Sequence, residues 1–277
     1  MSVLQGILLG VLQGIAEFLP ISSSGHLAVF QELFSLSDIP LVFDVMLHLA
    51  TLAAVVLFFW KKIWALLCVF GRWICRRSLP EDKAGLNMIA ALVLGTAVTG
   101  VFGIVFSDLI PEMPVKFICA GFIVTAGLLI FSGWYSNRKE IKAEKEQNEK
   151  EEKQGTVKPV QGLLIGLAQG FGVLPGISRS GSTIAGALLC GVDRNTAGEF
   201  SFLLSIPAIF GAFVLEAKDL GQMGDTVGLI PLAAGCLAAF ISGFFALAFL
   251  MKIIRKGKLE WFAAYLIPAG ILGMIFF

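Results

Sequence analysis

Displaced by 156 positions, the segment QGILLGVLQGIAEFLPISSSG (residues 5–25) falls on QGLLIGLAQGFGVLPGISRSG (residues 161–181) without a gap, and ten of the 21 positions are identical. One chain carrying two copies of a segment is expected to build the same local unit twice. Each copy breaks at its middle, at Leu19-Pro20-Ile21-Ser22 and at Leu174-Pro175-Gly176-Ile177-Ser178. Proline lacks a backbone donor and clashes with the preceding turn, so neither copy continues as one straight helix. The arms on either side fall short of the roughly 20 apolar residues that cross a bilayer, and each copy therefore reads as a re-entrant helical hairpin.

A bilayer is the solvent that the rest of the chain requires. Hydrophobic residues make up 57% of the sequence and charged ones 15%, with a mean hydropathy of +0.85, whereas soluble domains are about half apolar and a quarter charged. A separate soluble catalytic domain does not fit, and a net charge of +1 gives no basic footprint for nucleic acid. Six apolar stretches, at about 41–60, 86–106, 116–135, 196–216, 229–251 and 261–277, read as transmembrane spans. The five cysteines lie in or beside apolar segments without C-x-x-C spacing, and read as unpaired small hydrophobes.

Charge gives the orientation. Residues 61–83 hold six Lys or Arg, residues 138–158 seven and residues 252–258 four, together 17 of the 21 basic residues, and all three segments fall on one side of the spans. By the positive-inside rule that side is the cytoplasm. The opposing loops carry Asp108, Glu112, Asp219 and Asp225 and are expected outside. The chain then divides into a first repeat (1–137, with its hairpin at 3–36), a charged cytoplasmic linker (138–158) and a second repeat (159–277, with its hairpin at 160–192). Three spans, an odd number, follow each hairpin, so the repeats are expected to be inverted, with their tips meeting near the midplane.

Both tips are Ser-rich turns that open a helix, Ser22-Ser23-Ser24-Gly25-His26 and Ser178-Arg179-Ser180-Gly181-Ser182-Thr183. A helix N-terminus offers unpaired N–H groups and a partial positive charge, so each tip favours an anion and two facing tips favour a polyanion. The copies differ where chemistry needs them to differ: Glu17 stands over Val173, Ser23 over Arg179 and His26 over Ser182. Ionisable groups at membrane depth are costly, which marks Glu17, His26 and Arg179 as functional. Arginine is the fork-shaped donor suited to phosphate oxygens. Ser22 and Ser178 read equally well as helix caps or as anion donors. Gln13 is expected to line the cavity, His48 and Asp44 to sit at the membrane interface, and Glu199 to orient Arg179.

These residues resemble a family. QGIAEFLPISSSGHL and PGISRSGST are similar to the glutamate-rich and P-G-x-S-R-S-x-x-T signatures of the undecaprenyl-diphosphate phosphatases, or bacitracin-resistance proteins, and the resemblance extends through GVDRNTAGEFSFLLSIP and FDVMLHLATLAAVVLFFW. It implies removal of the terminal phosphate of an isoprenoid lipid diphosphate, at a site on the outer side of the bacterial plasma membrane, with help from a divalent cation, Mg²⁺ or Ca²⁺. The first signature position, Glu or Gln in the family, is Gln13 here. Glu17 is then the principal expected cation ligand, with Gln13 beside it.

The expected chemistry is in-line displacement at phosphorus. Arg179, Ser22, Ser24, Gly25, Ser178, Ser180, Thr183 and both helix N-termini would bind the phosphates, and either His26 or Ser23 would attack with the other assisting. A lipid-phosphate flippase or secondary transporter is the competing reading, because such carriers share inverted repeats and broken helices. The asymmetry between the tips argues for catalysis. A soluble-type acid phosphatase needs a second histidine after its S-R motif, and the only other one, His48, precedes it.

Overall fold

A computed structural model describes residues 1–34, 41–106, 113–145, 155–217 and 227–277, with the side chains of residues 140–145 and 216 left aside. The acidic residues assigned to the outer loops (Asp108, Glu112, Asp219 and Asp225) and residues 146–154 of the charged linker lie outside the described residues. Among the described residues the chain is all α-helical, without strands. The helices are α1 (Val3–Phe18), α2 (Ser23–Leu33), α3 (Leu41–Phe58), α4 (Trp60–Ile74), α5 (Asp82–Phe106), α6 (Val115–Lys145), α7 (Pro159–Phe171), α8 (Arg179–Leu189), α9 (Arg194–Glu216), α10 (Leu229–Arg255) and, after a 3₁₀ turn at Leu259–Phe262, α11 (Ala263–Phe276). Six of these segments are long and apolar enough to cross a membrane: α3, α5, the first 25 residues of α6, Arg194–Leu215 of α9, α10, and Leu259–Phe276. The protein is a multi-pass integral membrane protein. Its outward-facing Val93, Val101, Ile104, Val105 and Phe245 are more than half exposed, as suits a surface whose solvent is lipid.

Glycine rows dock each broken helix into the opposite half of the chain. Gly6, Gly10 and Gly14 of α1 lie against Pro231, Gly235 and the Ala239–Gly243 stretch of α10, while Gly162, Gly166 and Gly170 of α7 lie against Ala91, Gly95 and Phe102 of α5. Every fourth residue returns to one helix face, and small residues there let backbones approach closely, the main route to helix association in lipid. A Cβ on Gly10 would overlap the Gly235 carbonyl oxygen. The contacts rise together along both pairs, so α1 runs in the direction of α10 and α7 in that of α5. By contrast, α6 and α11 run oppositely, with Cys119 beside Gly273 and Gly133 beside Glu260.

Between these pairs α3 and α9 cross at the centre. Phe18 meets Phe202 edge-on at 5.7 Å between ring centroids, and Phe59 stacks on Phe202 at 6.2 Å. Phe18, Phe43, Phe200 and Phe202 are fully buried or nearly so. This aromatic floor supports the break after α1.

Residues 60–74, within the segment read above as a basic loop, form an amphipathic helix with no buried residue. It is tied at both ends. Lys62 pairs with Glu199 of α9 at 3.2 Å, and Arg72 grips Asp82 at the start of α5 with bonds of 3.0 and 2.5 Å.

Candidate active site

The tips begin where the helices stop. α1 ends at Phe18, Leu19 is extended (ψ 138°), and the chain reverses so that the Ser22 side chain caps α2 by accepting from Gly25 N–H at 3.4 Å. In the second copy Ser178 does the same for α8, accepting from Gly181 N–H at 3.0 Å. Both serines are therefore N-caps in this structure, which satisfies one orphan donor of each helix and leaves other N–H groups of the first turn facing the junction. The copies reach the bend differently. Gly176 supplies a left-handed φ of +89° in the second, whereas Ser22 itself sits at φ +69° in the first, a conformation unfavourable for a residue with a Cβ.

The two tips touch. A Cβ on Gly25 would lie 3.1 Å from Gly176 Cα, and one on Gly181 would lie 3.2 Å from Pro20 Cβ. Helix α6 clamps the second tip from behind: Thr125 Oγ1 accepts from Ser178 N–H at 2.9 Å and donates to the Gly176 carbonyl at 3.3 Å.

Glu17 is the hub of this junction. Arg179, from the other hairpin, forms an ion pair with its Oε1. Its Oε2 accepts from Gln13 Nε2 at 3.0 Å and from Ser23 Oγ at 2.6 Å, and faces His48 Nε2 at 3.3 Å. Glu17 is 8% exposed and Gln13 fully buried, so the site is screened from solvent and these contacts are electrostatically strong. Gln13, Glu17, Ser23 and Arg179 thus come together as one cluster, three from the first copy and one from the second.

Other expected residues are placed differently. Thr183 Oγ1 is turned onto its own helix, bonded to the carbonyls of Arg179 (3.0 Å) and Ser180 (3.1 Å) and paired with Ser201. Ser180 Oγ lies 3.3 Å from Ser178 Oγ. Ser24 is half-buried beside the buried Gly25. His26 is 4% exposed, with Nδ1 2.8 Å from the Ser22 carbonyl oxygen and Nε2 2.7 Å from the Tyr265 hydroxyl. Its ring is stacked against Phe122 at 4.8 Å and Tyr265 at 5.6 Å. Glu199 does not orient Arg179. Besides Lys62 it accepts from Asn195 at 2.8 Å, and Glu17 takes the role assigned to it.

Two residues read as interfacial belong to the site instead. His48 reaches Glu17 from α3, its Nδ1 held by the Asp44 carbonyl at 2.7 Å, and the Asp44 carboxylate accepts from Gln31 of α2 at 2.8 Å. Their i, i+4 spacing, with Asp44 one turn before His48, was the available signal. Tyr265 had none, because it lies in an apolar run 239 positions from His26.

The fit of a divalent cation can be judged from the donors. Among the described residues no group of three or more His, Cys, Asp or Glu side chains is arranged to hold a metal. Gln13 Oε1, however, is buried and without a hydrogen-bond partner. An unpaired buried carbonyl oxygen beside a carboxylate suits a hard cation that takes its remaining ligands from a phosphate-bearing substrate, the usual mode for Mg²⁺.

Comparison with known proteins agrees with this architecture. Residues 6–272 match the family described as bacitracin resistance protein BacA. A protein of Treponema denticola named undecaprenyl-diphosphatase is 49% identical over 277 residues, covering 100% of this chain and 98% of that protein. Proteins of the same name from Halothermothrix orenii and Carboxydothermus hydrogenoformans are each 38% identical, over 99% and 98% of this chain and 98% and 96% of theirs. With the match running through both hairpins and nearly all of the spans, the chain belongs to the bacitracin resistance protein BacA family.

Proposed function

We propose that the protein hydrolyses undecaprenyl diphosphate to undecaprenyl phosphate and inorganic phosphate, returning the lipid carrier to cell-wall synthesis and so conferring bacitracin resistance. The observation that carries this reading is the Glu17–Arg179 ion pair, which joins the end of α1 to the N-terminus of α8 and sets a cationic fork at the meeting point of the hairpins. The names of the relatives supply the substrate. The parallel α1–α10 and α7–α5 pairs, together with the antiparallel α6–α11 pair, support an inverted relation between the hairpins. The distribution of basic residues supports an orientation with residues 61–83 and 252–258 in the cytoplasm, and the bacterial relatives fit a plasma membrane with the site served from the outer side.

In this reading a diphosphate, carrying more charge than one carboxylate, draws the Arg179 guanidinium from Glu17 onto its terminal phosphoryl oxygens. The first-turn N–H groups of α2 and α8 left free by the caps and the half-buried Ser24 hydroxyl share the remaining charge. Glu17, relieved of one cation, takes the proton of Ser23, whose hydroxyl already donates to it. Ser23 Oγ attacks the terminal phosphorus, the bond to the bridging oxygen breaks, and its electron pair leaves with undecaprenyl phosphate. Water, giving a proton to His26, then attacks phosphorus, the Ser23 Oγ–phosphorus bond breaks, and Glu17 returns its proton to Ser23 Oγ as inorganic phosphate is released. Glu17 and Gln13 Oε1 would hold the divalent cation, which supplies further charge neutralisation at the diphosphate. A site among apolar spans suits an isoprenoid substrate, whose chain stays in lipid while its headgroup meets the tips.

The test is phosphate release from undecaprenyl diphosphate by purified protein in detergent, with and without Glu17→Ala. Release by the parent chain and its loss in the variant support hydrolysis. Lipid translocation in liposomes without phosphate release would instead establish a carrier.

A further inference from the structure

The surroundings of His26 specify which of its nitrogens is reactive. A peptide carbonyl only accepts hydrogen bonds, so Nδ1, 2.8 Å from the Ser22 oxygen, carries a proton. In a neutral ring the lone pair then lies on Nε2, and the partner it meets at 2.7 Å is the Tyr265 hydroxyl, which donates. Two independent restraints hold this arrangement. Ser22, at φ +69°, places its carbonyl against both the backbone N–H (3.1 Å) and the ring of His26, and the imidazole packs against Phe122 and Tyr265 at interplanar angles of 27° and 21°. Phe122 comes from α6 and Tyr265 from α11, so the ring is fixed by the last helix of each half.

We propose that Tyr265 is a positioning residue of the active site: its hydroxyl, donating to Nε2, reinforces the Nδ1–H tautomer set by the Ser22 carbonyl and holds the imidazole in place for proton transfer. Tyr265 reaches the substrate only through His26. It is 48% exposed on a membrane-spanning helix, where its phenol ring forms the wall between the imidazole and the surrounding lipid. The hydroxyl holds Nε2 in the resting site and gives it up when the ring takes a proton from the attacking water.

The catalytic consequence rests on the hydrolase reading above, so the test has an arm that does not. In protein labelled with ¹⁵N-histidine, which has only two histidines, the resonances lost in His26→Ala identify the ring. Parent protein is expected to show a protonated Nδ1 and a hydrogen-bonded, unprotonated Nε2. Tyr265→Phe keeps the stacked ring and removes only the hydroxyl, and the Nε2 resonance should move downfield as the bond is lost. In the kinetic arm, Tyr265→Phe should lower kcat about tenfold, in line with loss of one hydrogen bond to a reacting group, with KM for undecaprenyl diphosphate unchanged. Adding it to His26→Ala should lower kcat no further. An Nε2 resonance indifferent to Tyr265→Phe, a doubly protonated ring, or a fully additive double variant would overturn the proposal. If Tyr265→Phe does not yield folded protein, 3-fluorotyrosine in a Tyr135→Phe background labels position 265 alone, since the chain has two tyrosines. The more acidic phenol should then shift Nε2 upfield, and no shift would count against the bond. Inactivity of the parent chain would refute the hydrolase reading while leaving the resonance arm intact.

Discussion

Arg179 and Glu17, 162 positions apart in sequence, form the ion pair that bridges the two hairpin tips. Neither charge has a second route to compensation as complete. Glu17 also takes bonds from the neutral Gln13 and Ser23 and faces His48 at 3.3 Å, whereas Glu17 is the carboxylate that pairs with the Arg179 guanidinium.

Removing either partner should therefore sharply lower activity. Arg179→Lys keeps the charge and loses the fork, and phosphate release should fall at least about 100-fold, the scale for removing one preorganised donor at a developing charge. Glu17→Gln should fall comparably. The double variant should be no worse than the poorer single one, which a double-mutant cycle on kcat/KM would show.

Ser23 is expected to carry the phosphoryl group. Rapid quenching of enzyme turning over ³²P-labelled substrate should yield an acid-stable phosphoserine that disappears in Ser23→Ala. An acid-labile phosphohistidine, lost in His26→Ala, would transfer the attack to Nε2.

Gln13→Leu removes the one open carbonyl oxygen beside Glu17 while keeping the volume. The Mg²⁺ concentration for half-maximal phosphate release should rise by about tenfold, the lower end for perturbing a metal site through one supporting ligand. Chelation should reduce the parent's activity, and the variant's response to added Ca²⁺ should weaken in parallel. Unaltered titrations would place the cation elsewhere.

The glycine rows predict a stability difference independent of chemistry. Gly10→Ala puts a methyl group onto the Gly235 carbonyl oxygen, forcing α1 from α10, whereas Gly103 has no atom within 4 Å of its Cβ position. Thermal unfolding in detergent should show Gly10→Ala destabilised by about 1–3 kcal/mol, the range for overpacking. Gly103→Ala should be neutral or slightly stabilising, because alanine is the better helix former.

Much of the site was legible because the repeat compares the chain with itself. Glu17 and Arg179 stand where the copies disagree, Ser22 and Ser178 where they agree, and both serines serve the shared structural task of capping. What escaped reading came from the spans. His48 and Asp44 lie near the start of an apolar helix, where polar residues commonly face headgroups, and only the approach of α3 to α1 brings His48 to Glu17. Glu199 was misread for the converse reason: its partner Lys62 belongs to α4, a short helix bounded by Lys61, Lys62 and Arg72 that reads as part of the basic segment after the first span. Thr183 matches a signature, yet a threonine in a first helical turn can bond the carbonyls of its own turn, and packing against Ser201 keeps it there.

The reciprocal docking also bears on the order in which the molecule can be made. α1 leaves the ribosome first, but the surface that receives its glycines, α10, begins only at Leu229. Throughout most of synthesis the first hairpin is thus an orphan, too short to span the bilayer and not yet matched to its counterpart. α7 has no such delay, since its cradle, α5, is already inserted when it emerges. The two copies of the repeat therefore dock in different orders: the second meets a helix made before it, and the first waits for one made after it.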